Sequence, residues 1–499
     1  MQRALPYIQF CAPAEAASRQ RVEDLVGQSG PYRPPQGRSW VRRAAIRGLN
    51  TLFWRQQIWN REMAQILVAP WARPHDALSP NREKPKLLIL VPHNIVDPST
   101  GGAARMRGLC QGLAPFFDLT LLTLVGRKGR WDRQWLSPDV ALLLCPWSKQ
   151  LGEEVTRRRS RYGRAAAFLT MGDPDVPFPL LDAYLRHTGP DLAAILMVGP
   201  YLYERTRRNV PETPIVYDMH DVNADFLGQM AGPFREAAVE ALRCIEEPLL
   251  NDAVLTTVVS QADERRLREL YPKCEFQTHF APNGVSVRDA VKVNPQESLR
   301  LAQDFGVGEA GIVFIGSNLE ANQQAARFVR DTLAPAFPRV RWIIVGEAGR
   351  PLLMEQKQHS LPENLVLTGA VSSFQKEAIL ALCSIAVAPM AEGTGSSLKI
   401  PDYIAHGKCV VTTPMGLRGH ESLEASVCVA SLNGFADAID RVLARLEQEP
   451  VALDRQAEHA WDAVRNDLDW GGIGQDLTTR LLPLLHASPE IRNVASVLD

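Results

Sequence analysis

The stretch APMAEGTGSSLKIPDYIAHGKCVVTTPMGLRG, Ala388–Gly419, gathers the densest set of reactive residue types in this 499-residue chain. Gly393 and Gly395 stand just ahead of a helix predicted to begin near Leu398, a spacing that turns backbone N–H groups and a helix N-terminus toward an anion. Lys399 adds a point positive charge for the same group, which suits a diphosphate. Glu392 before the loop and Asp402 in the first helical turn are placed to accept hydrogen bonds from sugar hydroxyls. Taken alone, a G-x-G before a helix is a weak signal, because turn glycines and solvated charges produce the same pattern.

The elements around this block alternate. KPKLLILVPHN is a charged lead-in to a continuous apolar run, as expected of a parallel strand covered on both faces. Further runs follow at Leu119–Leu124, Ala193–Val198, Ile215–Asp218 and Val254–Ser260, with helical stretches such as Ala103–Leu113 and Pro233–Leu250 between them. The alternation restarts at Gly311–Gly316, Arg341–Gly346, Leu365–Thr368, Ile385–Pro389 and Cys409–Thr412. Two doubly wound α/β domains are therefore expected, 84–290 and 291–470, hinged around Val287–Glu309. A last helical segment, Leu453–Ala487, reads as crossing back toward the first domain, with 471–499 as its terminal part.

Residues 1–83 have another texture: twelve Arg and no Lys against six acids, with no acid between Asp24 and Glu62. SWVRRAAIRGLNTLFWRQQIW sets Val41, Ala45, Leu49, Leu52 and Phe53 at helical spacing beside four arginines, with Trp40, Trp54 and Trp59 interleaved. A basic amphipathic helix within 33–61 would either dock on an anionic membrane surface or pack on the main body by its apolar face.

Composition excludes several classes. With 45% hydrophobic and 22% charged residues the chain is globular, and a net charge of −1 offers no global field for nucleic acid. Eight scattered cysteines without a C-x-x-C support neither a zinc site nor a disulfide framework, so no metal site is expected. No run is long enough to span a bilayer. The opening MQRALPYIQFCAPAEAA carries A-x-A-like triplets, but Pro6 and Gln9 break its apolar stretch, and a cytoplasmic location is expected. Asp173-Pro174-Asp175 has D-x-D spacing, yet Gly172 and Pro177 beside it read as a turn.

The sequence resembles the family-4 glycosyltransferases of the GT-B fold (glycosyl transferases group 1) from about Lys86 to Leu482. The resemblance rests on ordered motifs: GGAARMRGL at Gly101, VYDMHDVNADF at Val216, TTVVSQADERRLRELYP at Thr256, APNGV at Ala281, VFIGSNLEANQQAARFV at Val313, IIVGE at Ile343, LTGAV at Leu367 and the Ala388–Gly419 block. It implies two facing Rossmann-like domains and transfer of a sugar from a nucleotide diphosphate donor with retention, without catalytic metal or other cofactor. The family's Glu-x7-Glu pattern falls on Glu392, for the donor sugar, and Asp402, for the ribose hydroxyls, with Asp in place of the second Glu and a loop two residues longer. Gly101, Gly102, Gly316, Gly393, Thr394, Gly395, Ser396, Lys399 and Asp402 are the implied donor-binding residues, and Glu392, His220 and Asp221 the implied catalytic ones.

One departure stands out. Where many members carry an Arg and, about five residues on, a Lys to neutralise the diphosphate, this chain reads GSNLEANQQ from Gly316. Lys399, the helix N-terminus and Arg418 are expected to take over, with Asn322 as a helix cap. The expected substrates are a UDP- or GDP-sugar and a glycan or lipid-linked acceptor in polysaccharide biosynthesis, at the inner face of the membrane if residues 33–61 dock there. The alternative is a degenerate GT-B pseudoenzyme acting as a scaffold.

Overall fold

The apolar run after Lys86 forms β1 (Lys86–Val91), in which Leu87 to Val91 are wholly buried, as a strand covered on both faces requires. The computed structural model describes residues 84–486 except 97–99, 127–128, 130, 287–299, 301–310, 356–359, 394 and 449. The amphipathic segment 33–61, all of the expected hinge but Arg300, and Thr394 lie outside the described residues.

β1 sits within an eight-stranded sheet with β2 (Asp118–Val125), β3 (Asp132–Ser137), β4 (Val140–Pro146), β5 (Ala194–Val198), β6 (Ile215–Met219), β7 (Leu255–Val258) and β8 (Thr278–Phe280), in the order β3-β4-β2-β1-β5-β6-β7-β8. Every pairing is parallel except β3 with β4. The sequence reading did not anticipate β3, β4, β8 or β14: β3 is a half-exposed edge strand, DRQWLS, with no apolar run, β8 and β14 are three and two residues long, and β4 was passed over although VALLLCP is an apolar run.

The second sheet is wholly parallel: β9 (Gly311–Ile315), β10 (Arg341–Val345), β11 (Leu365–Gly369), β12 (Ile385–Ala388), β13 (Cys409–Thr412) and β14 (Cys428–Val429), in the order β11-β10-β9-β12-β13-β14. In each sheet the chain winds outward one way, then returns to start the other half, at β1/β5 and at β9/β12. Such switch points leave a crevice at the carboxyl ends of the strands, where open α/β sheets bind ligands.

The expected single helix at the C-terminus is two helices, Pro450–Asp467 and Trp470–His486. They part because the backbone at 468–470 pairs with Val285 instead: Val285 N–H donates to Leu468 O at 2.8 Å and Trp470 N–H to Val285 O at 3.3 Å. The second helix then lies on the helix Gly101–Leu113, and Trp470, Ile473, Leu477, Leu481 and Leu485 join the core on one face of the first sheet. No helix among the described residues is long and apolar enough to cross a membrane.

Candidate active site

β12 hands the chain to residues 391–398, which lead into the helix Lys399–Ala405. Carbonyls of this segment are occupied one after another. Thr413 Oγ1 donates to Met390 O at 2.6 Å, Arg418 Nη1 to Gly393 O at 3.0 Å, Asn283 Nδ2 to Ser396 O at 3.1 Å and His420 Nε2 to Ser397 O at 2.7 Å. Because a carbonyl only accepts, the His420 proton sits on Nε2. Burial lowers the pKa of that ring to about 4, so it is neutral. Gly395 is left-handed at φ +63°, and a Cβ there would lie 2.5 Å from Asp221 Oδ1 and 2.9 Å from the His220 carbonyl oxygen. Any other residue would meet both the backbone cost of about 1–2 kcal/mol and that clash.

Lys399 opens the helix. Its Nζ donates to Asn322 Oδ1 at 3.1 Å and rests 4.0 Å from Met390 Sδ and 5.9 Å from the centre of the Phe314 ring. No carboxylate among the described residues pairs with it, and removal from water lowers its pKa to about 8. Asn322 donates in turn to Ser317 Oγ at 3.1 Å. The expectation that Asn322 caps a helix is therefore corrected. The helix Glu320–Phe328 has Leu319 at its cap with no side-chain bond, and Asn322, 7% exposed, lies inside the first turn with its carboxamide spent on Lys399 and Ser317.

In the first domain, the centre is Asp218 at the end of β6, 1% exposed. Arg105 Nη2 reaches its Oδ1 at 2.7 Å, Thr257 Oγ1 donates to the same oxygen at 2.5 Å, and His220 Nε2 donates to Oδ2 at 2.6 Å. Burial by itself would raise the Asp218 pKa; the charges and hydrogen bonds of Arg105 and His220 outweigh it and hold the carboxyl far below the usual range. The Nε2 proton of His220 is thus fixed on Asp218, which leaves Nδ1 as the second nitrogen of the ring. His93, just past β1, is lowered to about 4 by burial and by the charge of His220, and a Cβ on Gly102 would come within 2.8 Å of its Nε2.

The two halves meet at the glycine loop. Leu398 Cδ1 would be 3.2 Å from a Cβ on Gly101, Asp221 abuts Gly395, and Asn283 Nδ2 donates to Ser396 Oγ at 2.8 Å. Asp263, fully buried on the helix Gln261–Leu270, makes an ion pair with Arg418. Burial nevertheless raises the Asp263 pKa against the pull of that arginine. Arg418 is thus committed to Asp263 and Gly393 O rather than standing open for a diphosphate, which corrects the expectation placed on it.

Gly101, Gly102, His220, Asp221, Gly395 and Ser396 are brought together at this meeting point, with Gly393 on the same loop. Lys399 is joined through Asn322 to the Gly316 loop, where a Cβ on Gly316 would lie 3.1 Å from that of Asn322. Glu392 is exposed and accepts from Gln324 Nε2 at 2.9 Å. Asp402 is engaged elsewhere: Lys376 Nζ, on the helix Ser373–Leu382, holds its two oxygens at 2.8 and 3.0 Å. Asp173 accepts the Asp175 N–H at 3.0 Å and pairs with Arg158 at 2.5 Å, a turn rather than a metal ligand set. Among the described residues no three His, Cys, Asp or Glu side chains converge on a metal position. Sequence reasoning missed His93, Arg105, Asn283 and Lys376; three of them stand inside motifs already singled out (PHN, GGAARMRGL, APNGV), and Lys376 follows LTGAV.

Two parallel sheets, each opening its switch point onto a shared loop, define the GT-B class of glycosyltransferase fold. Residues 309–445 match the family model of the glycosyl transferases group 1. Among solved structures it is similar to a sucrose-phosphate synthase from Thermosynechococcus elongatus (16% identity, 81% of this chain and 100% of that one, TM-score 0.60). It is also similar to Anabaena HepE in complex with UDP and glucose (16% identity, 80% and 99%, TM-score 0.57) and to an alpha,alpha-trehalose-phosphate synthase (UDP-forming) from Burkholderia vietnamiensis (12%, 79% and 99%, TM-score 0.55). No curated protein matches by sequence.

Proposed function

We propose that this protein is a retaining, metal-independent glycosyltransferase that moves a sugar from a UDP- or GDP-sugar to a glycan or lipid-linked acceptor. The observation that carries the reading is Lys399: an ammonium at the switch point of the second sheet, held by a neutral Asn322 and left without a carboxylate. A cation so placed awaits an anion. UDP is the favoured nucleotide, since similar folds are those of a UDP complex and a UDP-forming synthase.

Breaking the glycosyl–phosphate bond places negative charge on the departing diphosphate, which Lys399 and the N–H groups of the Gly393–Ser396 loop stabilise where it develops. The acceptor oxygen bonds to the anomeric carbon on the face the phosphate leaves, and the acceptor proton passes to the leaving phosphate oxygen, so no separate base is needed. His220, its tautomer set by Asp218, accepts from a sugar hydroxyl through Nδ1. Asp221 lies beside it against Gly395. Glu392 positions the donor sugar, and Asp402 would have to release Lys376 to meet the ribose.

The test is incubation with UDP-glucose in EDTA. UDP is expected to appear, with the first-formed sugar product in the α configuration by NMR; a β product would exclude retention. Glu392→Ala should abolish transfer with the melting temperature unchanged, and full transfer by that variant would remove Glu392 from the mechanism. The pseudoenzyme reading draws on the Lys376–Asp402 pair and the uncharged Gly316 loop, and it requires that no donor be cleaved.

A further inference from the structure

Asn283 occupies the boundary between the two domains, 6% exposed, with both ends of its carboxamide in use. Its Oδ1 accepts from Arg105 Nη1 at 3.2 Å, while its Nδ2 donates to Ser396 Oγ at 2.8 Å and to Ser396 O at 3.1 Å. The orientation of the amide is forced: a guanidinium only donates and a carbonyl only accepts, so a flipped amide would set donor against donor and acceptor against acceptor. Arg105 continues the chain to Asp218, and Asp218 to His220. Ser396, Asn283, Arg105, Asp218 and His220 thus form one uninterrupted line of hydrogen bonds. It runs from the glycine loop of the second domain to the imidazole of the first.

We infer that Asn283 is a positioning residue that couples the seating of Ser396 to the orientation of the His220 ring. The guanidinium makes the coupling stiff. Arg105 Nη1 shares itself among Ala281 O at 3.0 Å, Pro282 O at 3.2 Å and Asn283 Oδ1, and its Nε and Nη2 both face Asp218, at 3.4 and 2.7 Å. A loop that shifts by about an ångström breaks the Ser396 bonds, frees the amide to turn, and removes one of the three acceptors that seat the Arg105 guanidinium against Asp218. Misplacement on that scale costs on the order of 100-fold in rate. The catalytic consequence rests on the transferase reading above, whereas the coupling is a property of the ligand-free chain.

The experiment replaces Asn283 by Leu, which has the same branched outline, greater bulk and no hydrogen-bonding capacity, and by Ala in case Leu overpacks. Melting curves confirm folding. Histidine is labelled with ¹⁵N, and the His220 ring signals are identified by their absence in His220→Gln. Both Asn283 variants should shift the His220 ring nitrogens without any nucleotide present, and with UDP-glucose kcat should fall about 10- to 100-fold while the donor KM changes less than about threefold. Ring signals identical to those of the unmodified protein would overturn the coupling. A fall confined to thermal stability, with kcat unchanged, would overturn the catalytic consequence. An unmodified protein that releases no UDP would overturn the transferase reading, and the ring spectrum alone would then decide the coupling.

Discussion

Arg105 and Lys399 stand on opposite sides of one domain boundary and are supplied with partners in opposite ways. Arg105, 1% exposed, has a carboxylate at 2.7 Å and three oxygen acceptors besides. Lys399 has a carboxamide oxygen, a thioether and the face of a phenylalanine. A buried charge that is fully paired serves the fold; one left unpaired at a strand end raises the energy of the empty site and is relieved by a ligand of opposite sign. The difference separates the half of the cleft that is built to stay still from the half that is built to bind.

The widest test of this contrast is stability. Arg105→Met leaves Asp218 buried without its guanidinium partner, and a loss of about 3–5 kcal/mol in denaturant unfolding is expected. Lys399→Met removes a charge with no counter-ion and should not lower stability at pH 7, so equal losses in the two variants would erase the distinction. Next in size is affinity. Lys399→Met should weaken UDP about 30- to 100-fold by calorimetry, the value of a lost hydrogen bond to a charged group, and UMP by less.

The smallest effect is the dependence on pH, and it has two signs. Binding needs the charged ammonium, so UDP affinity should be flat below about pH 8, where Lys399 titrates, and fall about tenfold per unit above it. Unliganded stability goes the other way. The lysine pKa is lower in the folded chain than its ordinary value of 10.5, so between about 8 and 10.5 the unfolded state binds more protons and stability rises with pH, while the cost of the charge is borne in full below 8. Both trends should vanish in Lys399→Met, as titrations at pH 7, 8.5 and 9.5 would show.

The legible parts of this molecule were those whose cause is local. Parallel strands covered on both faces must be continuous apolar runs, so the two sheets could be placed, and the glycine loop before Lys399 announces itself within eight residues. β3, β8 and β14 escaped because edge or very short strands need no such run, whereas β4 was passed over although VALLLCP is one. Arg105 and Asn283 escaped, and Arg418 was given the wrong partner, for another reason: their partners lie 113, 113 and 155 positions away, at Asp218, Ser396 and Asp263. Nothing in the spacing of a sequence tells which arginine a buried aspartate will claim. The same holds for Asp402, whose partner Lys376 belongs to a neighbouring helix, and for Asn322, whose role became visible only once Lys399 stood opposite it.

The most direct measurement of the central claim is calorimetric titration of the protein with UDP in EDTA at pH 7, beside the Lys399→Met variant. A micromolar site, about −8 kcal/mol, that weakens at least 30-fold in the variant is the expected result. UDP binding of equal strength in both proteins, or none in either, would contradict the assignment of Lys399 as the group that receives the diphosphate.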